Sequence, residues 1–116
     1  IQIIGETDEV ISIEKILKEK FPHLSICRSH ANFLEVMHKS ATKGNAVRFL
    51  EDYFHVKMEE CVAFGDNFND LDMLESVGLG VAMGNAPDEI KQAANRVTAS
   101  HNDDGIALIL NEIFPE

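Results

Sequence analysis

Cysteine, basic side chains and long apolar runs are all scarce in this chain, and each scarcity removes a class of function. The two cysteines, Cys27 and Cys61, stand far apart and form no Cys-x-x-Cys pair. That argues against a disulfide framework, and the expectation is two reduced, buried thiols in a cytoplasmic protein. Ten basic residues stand against twenty acidic ones, for a formal charge of −10. Such a surface repels nucleic acid and anionic membrane faces, so neither is expected as a partner. It also repels a phosphorylated small molecule, unless a cation and a few local donors reverse the field. No apolar run approaches the roughly 18 residues that would cross a bilayer, and no segment reads as a signal peptide. Repeats and low-complexity tracts are absent too. The 116 residues suit one small domain with a core of its own. The chain opens at Ile1, inside an apolar run, and reads as a piece of something longer.

What is present is a rhythm of short strands and helices. Ile1 to Ile4 reads as a strand ended by Gly5. Val10 to Phe21 carries apolar residues at helical spacing, with Thr7 and Asp8 as candidate caps and Pro22 as the stop. Leu24–Cys27 and Phe33–Met37 read as two further strands, joined by the polar stretch from Arg28 to Asn32. This first segment is β-α-β-β. A polar boundary follows, then an amphipathic helix from Lys43 to Phe54 with Thr42 as its candidate N-cap. Strands at Cys61–Phe64, Leu79–Ala82 and Arg96–Thr98 alternate with helices at Asp70–Val77, Asp88–Ala94 and Asp104–Phe114. Such alternation implies an α/β fold with a parallel sheet.

The stretch from Gly65 to Asp70, Gly-Asp-Asn-Phe-Asn-Asp, is the most informative. It places two carboxylates and two amides where a strand ends and a helix begins, the place where open α/β sheets bind ligands. Asp66 projects from the strand end, and Asp70, four residues on, falls in the first helical turn on the same side. Oxygen-rich clusters of this kind suit magnesium, which keeps several waters and touches substrate phosphate. Simple capping by Asp66 or Asn67, with Asp70 at the positive helix end, accounts for the same residues. Asn69 can donate to a phosphate oxygen or serve the turn. Lys43 sits in the first turn of its helix, against the positive end of the macrodipole, and gains if an anion lies between them. A solvated surface lysine is the alternative. Asp72 reads as a solvated helix residue, and Gly78 as a helix C-cap. Asn85, in the loop after the next strand, either lines a site or supports the loop.

Other motifs fail on spacing. An EF-hand beginning at Asp66 meets Phe68 and Leu71 where oxygen and glycine are needed. A dinucleotide fingerprint beginning at Gly78 needs glycine where Met83 stands. The five histidines match no zinc pattern.

Together, Leu34–Met37, Thr42–Ala46, Phe64–Leu74, Val81–Ala86 and Asp103–Ala107 resemble, in order, the haloacid dehalogenase superfamily of phosphohydrolases in its Cof-like branch. The resemblance implies a partial Rossmann-like core at 39–116, preceded by the tail of a cap domain at 1–38. It implies that Lys43 neutralises the phosphoryl group and the attacking carboxylate, Asp66 binds Mg2+, Asp70 supports the metal, and Asn69 touches phosphate. It further implies a small phosphorylated metabolite as substrate, an aspartate nucleophile, and a second aspartate as acid and base. That nucleophile sits in an Asp-x-Asp-Gly-Thr motif near the N-terminus of family members, and no Asp-x-Asp-Gly occurs here. The expectation is the carboxyl-terminal part of a phosphatase, inactive alone and prone to self-association through uncovered strand edges. Two other readings compete. One is a non-catalytic acidic α/β domain that binds a divalent ion or mediates protein association. The other is a receiver-like domain, which the order of Lys43 before Asp66 disfavours.

Overall fold

The computed structural model describes residues 1–115. Two three-stranded sheets carry the fold. The first is antiparallel, in the order β1 (Gln2–Ile4), β3 (Phe33–His38), β2 (Leu24–His30). The second is parallel, in the order β4 (Val62–Gly65), β5 (Leu79–Ala82), β6 (Arg96–Val97). Helices α1 (Thr7–Lys20), α2 (Lys43–Phe54), α3 (Leu71–Ser76), α4 (Asp88–Ala93) and α5 (Gly105–Ile113) intervene. The parallel sheet is the α/β architecture that the strand–helix rhythm implies.

Strand alternation divides the antiparallel sheet into two unlike faces. Ile26, Leu34 and Val36 point one way, and with Ile3 they meet Val10, Ile13 and Leu17 of α1. Val10 and Leu34 are fully buried, and each such side chain stabilises the packing by about 1.5–3 kcal/mol. Ser25, Cys27, Glu35 and Met37 point the other way. Cys27 stands opposite Glu35, and Ser25 opposite Met37. A second core lies under α3 and α4, where Leu74 and Ile90 are fully buried around Ala63 and Ala82.

Three local expectations change. Thr7 and Asp8 lie inside α1, whose N-cap is Glu6 without a side-chain cap bond. Strand β2 runs on through Arg28 to His30, so the connection to β3 is only Ala31-Asn32. A bulge between Arg28 and His30 leaves Ser29 out of register, and its carbonyl accepts from Asn67 Nδ2 at 2.9 Å. This bond ties the antiparallel sheet to the loop after β4. Gly78 is not a left-handed cap, since no glycine among the described residues has positive φ. It is small because the backbone of Glu59 crosses there: a Cβ would sit 2.0 Å from Glu59 O.

Candidate functional site

The site begins with how α2 starts. Thr42 Oγ1 accepts from Asn45 N at 3.2 Å, which makes Thr42 the N-cap and Lys43 the first helical residue. The ammonium of Lys43 therefore stands at the positive end of α2, where a cation is unfavourable on its own. Two carboxylates compensate. Lys43 Nζ donates to Asp70 Oδ1, and Gly44 N donates to Asp72 Oδ2 at 3.1 Å. Asp72 is thus not merely solvated, as its helix position implies. It joins the N-terminus of α2 to α3, at a point where a Cβ on Gly44 would lie 2.6 Å from its carboxylate.

Asp70 organises the loop after β4. Its side chain is buried, 6% exposed, while that of Lys43 is half exposed. Oδ2 accepts from Asp66 N at 2.9 Å and from Asn67 N at 3.1 Å. With Oδ1 on Lys43, both oxygens are engaged. Gly65 makes this possible, because a Cβ there would lie 2.5 Å from Asp70 Cβ. These bonds fit the capping explanation, and Asp70 also holds the lysine.

Asp66, by contrast, is exposed at the end of β4. Its Oδ2 accepts from Asn85 Nδ2 at 3.0 Å, and Asn85 Oδ1 in turn accepts from His101 N at 3.1 Å. Asn85 follows β5 and His101 follows β6, so the three loops at the carboxyl end of the parallel sheet are joined through one amide. Asn85 both supports its loop and touches the metal candidate. The signal available in the sequence was its place in the loop after the next strand. Asn69 lies on a wall of a cleft of about 480 Å³, which Lys43 also lines.

Among the described residues, no group of three or more His, Cys, Asp or Glu side chains gathers into a ready cage for an ion. Asp66 is nonetheless an exposed carboxylate at a strand end, and a hard cation such as magnesium is often held by only one or two carboxylates and water. Asp66 Oδ1 has no hydrogen-bond partner among the described residues and is available for that. Cys27, at the cleft wall, does not qualify as a nucleophile. Burial and, secondarily, the Glu35 carboxylate push its thiol above the usual range, so it stays protonated near neutrality.

The family model for haloacid dehalogenase-like hydrolases matches residues 1–110. The chain belongs to that family. A Haemophilus influenzae relative is 81% identical over all 116 residues, which make up 44% of its own length. A haloacid dehalogenase-like hydrolase of Bacillus subtilis superposes with a TM-score of 0.89 at 31% identity, covering 97% of this chain and 40% of that one. A sugar phosphatase of haloacid dehalogenase subclass IIB superposes with a TM-score of 0.84 at 33% identity, covering 97% of this chain and 43% of that one. The chain thus spans less than half the length of these haloacid dehalogenase-like relatives. The resemblance read from the five motifs is correct. No described helix is long and apolar enough to cross a membrane.

Proposed function

We propose that this chain is the part of a magnesium-dependent phosphohydrolase that carries the lysine and the metal-binding aspartate, and that the whole protein hydrolyses small phosphomonoesters. Residues 1–38 belong to the cap on this reading, and 39–116 to the catalytic core. The observation that carries it is the arrangement at the carboxyl end of β4, where Lys43, buried Asp70 and exposed Asp66 are linked through two side-chain oxygens. Asp66 binds the cation, and Asp70 acts behind it by fixing Lys43 and the Asp66 backbone. Lys43 balances the charge of the transferring phosphoryl group, and Asn69 donates to one of its oxygens. Bound magnesium would supply further neutralisation of phosphate charge. Phosphoryl transfer depends mostly on such positioning and charge compensation. The sugar phosphatase among the structural relatives supports a phosphorylated metabolite as substrate. The attacking aspartate lies outside this chain and forms an aspartyl-phosphate that water then hydrolyses, so one hard step becomes two easier ones.

Hydrolysis of p-nitrophenyl phosphate with magnesium tests the reading. The full-length protein is expected to turn over and the isolated chain is not. Robust turnover by the isolated chain would mean that the nucleophile is among these residues.

The same reading leaves a surface to be covered. Strand β4 is an edge of its sheet. Beside it, α2 exposes Phe49, Leu50, Tyr53 and Phe54, with Phe49 and Tyr53 each 68% exposed. Open edges and apolar patches invite association. The isolated chain is therefore expected to self-associate in light scattering, where a clean monomer at high concentration would count against this.

A further inference from the structure

Strand β2 reaches the loop after β4 from outside the candidate site. Arg28 places its guanidinium carbon 4.6 Å from the centroid of the Phe68 ring, well inside the roughly 6 Å within which an aromatic face attracts a cation. Ser29, put out of register by the bulge, accepts from Asn67 Nδ2. The arginine is itself held. Its Nε donates to Glu14 Oε2 of α1 at 2.8 Å, and the two side chains are only 21% and 13% exposed. Glu14 Oε1 accepts from Lys18 Nζ at 2.7 Å, so the carboxylate keeps a partner even without Arg28. A partly desolvated guanidinium gains more from a ring than an exposed one.

The tethered residues, Asn67 and Phe68, lie between Asp66 and Asn69, the candidate contacts for cation and phosphate. Asp70 fixes this loop from within, through Asp66 N and Asn67 N. Strand β2 fixes it from the other side. Phe68 also packs against the core under α3 and lines the cleft, so a displaced ring would carry Asn69 with it. Small misplacements of this kind are costly in rate even when they arise away from the reacting atoms.

We propose that Arg28 is a positioning residue that acts through the Phe68 ring to hold Asp66 and Asn69 in their working geometry. This rests on the phosphohydrolase reading above. Arg28 makes no contact with substrate in this scheme and moves no proton.

The test uses the full-length protein, p-nitrophenyl phosphate and magnesium. Arg28→Met keeps the length of the stem and removes the charge. Its kcat is expected to fall about five- to tenfold, the scale of a partly buried cation–aromatic contact, with KM little changed and a higher magnesium requirement. Arg28→Lys, which keeps a cation over the ring, is expected to recover most of the loss. Phe68→Leu keeps apolar bulk without the aromatic face and is expected to lower kcat similarly. In that background Arg28→Met is expected to cost little more, because the contact is already gone. Amide hydrogen exchange gives a readout independent of turnover. In Arg28→Met the amides of Asp66 and Asn67 are expected to exchange faster, while those of β5 keep their wild-type rates. Fully additive losses in the double variant overturn the proposal. So does a lower unfolding temperature in Arg28→Met with kcat, magnesium requirement and loop exchange unchanged, which would make Arg28 a brace between the sheets and nothing more. Both results leave the hydrolase reading intact. Wild-type protein that does not hydrolyse the substrate refutes that reading, and this inference with it.

Discussion

Replacing Lys43 by alanine in the full-length protein is expected to lower kcat for phosphomonoester hydrolysis by about 10²–10³-fold or more, the usual loss on removing one preorganised charge-stabilising group. The reasoning starts from the field of the protein. A chain with formal charge −10 repels a phosphate dianion, and in the described cleft Lys43 is the basic side chain. Removing it leaves Glu35, Asp72 and Glu75 to confront the incoming anion alone. Lys43→Arg separates charge from shape. A guanidinium keeps the charge but is planar and bulkier, and Asp70 Oδ1 receives it from a different direction. Partial recovery with arginine is therefore expected, short of the wild-type rate. Steady-state kinetics on one good substrate decides this. Wild-type kcat in Lys43→Ala would remove the lysine from the mechanism.

The second large effect is on stability, and it belongs to Asp70. Its carboxylate accepts from two backbone N–H groups and from the Lys43 ammonium. Asp70→Ala leaves both N–H groups without their partner in a part-buried turn. Because Lys43 is half exposed, its ion pair is screened by solvent and contributes little, so the expected loss is about 2–4 kcal/mol from the orphaned donors. That is a large share of the stability of an ordinary domain. Asp70→Asn keeps an accepting oxygen for the loop but loses the charge facing Lys43. It is expected to cost less than alanine in stability while still lowering activity. Urea or thermal unfolding of the full-length variants measures the difference. Equal stability of wild type and Asp70→Ala would show that the loop after β4 is held by something else.

The elements legible in the sequence were those with local determinants. Helix α2 occupies Lys43–Phe54 with Thr42 as its cap because cap, period and apolar face all lie within a dozen residues. The short helices and strands after it follow from apolar runs bounded by glycine and proline. Strand β2 was longer than its apolar core suggests because Arg28, Ser29 and His30 owe their extended form to pairing with β3, a partner outside the local window. The same limit applies to the site. Asp66, Asp70, Lys43 and Asn69 stand out by residue type at an element boundary. The bond from Gly44 to Asp72 depends on how α2 docks on α3. That from Asn85 to Asp66 depends on β5 lying beside β4. Neither docking has a signature in residue spacing. Gly78 departs from the expected helix cap for a related reason: close approach by the Glu59 backbone and a left-handed cap both demand glycine, and only the fold distinguishes them.

The central claim is that Asp66 holds a divalent cation beside a phosphate that Lys43 has drawn in. Its most direct test is phosphomonoester hydrolysis by the full-length protein as magnesium is varied, in wild type and in Asp66→Asn. The expected result is turnover that vanishes with a chelator, returns with magnesium, and falls by about 10²-fold or more in Asp66→Asn. Hydrolysis that persists in the chelator, or that Asp66→Asn leaves at the wild-type rate and magnesium requirement, would contradict the account.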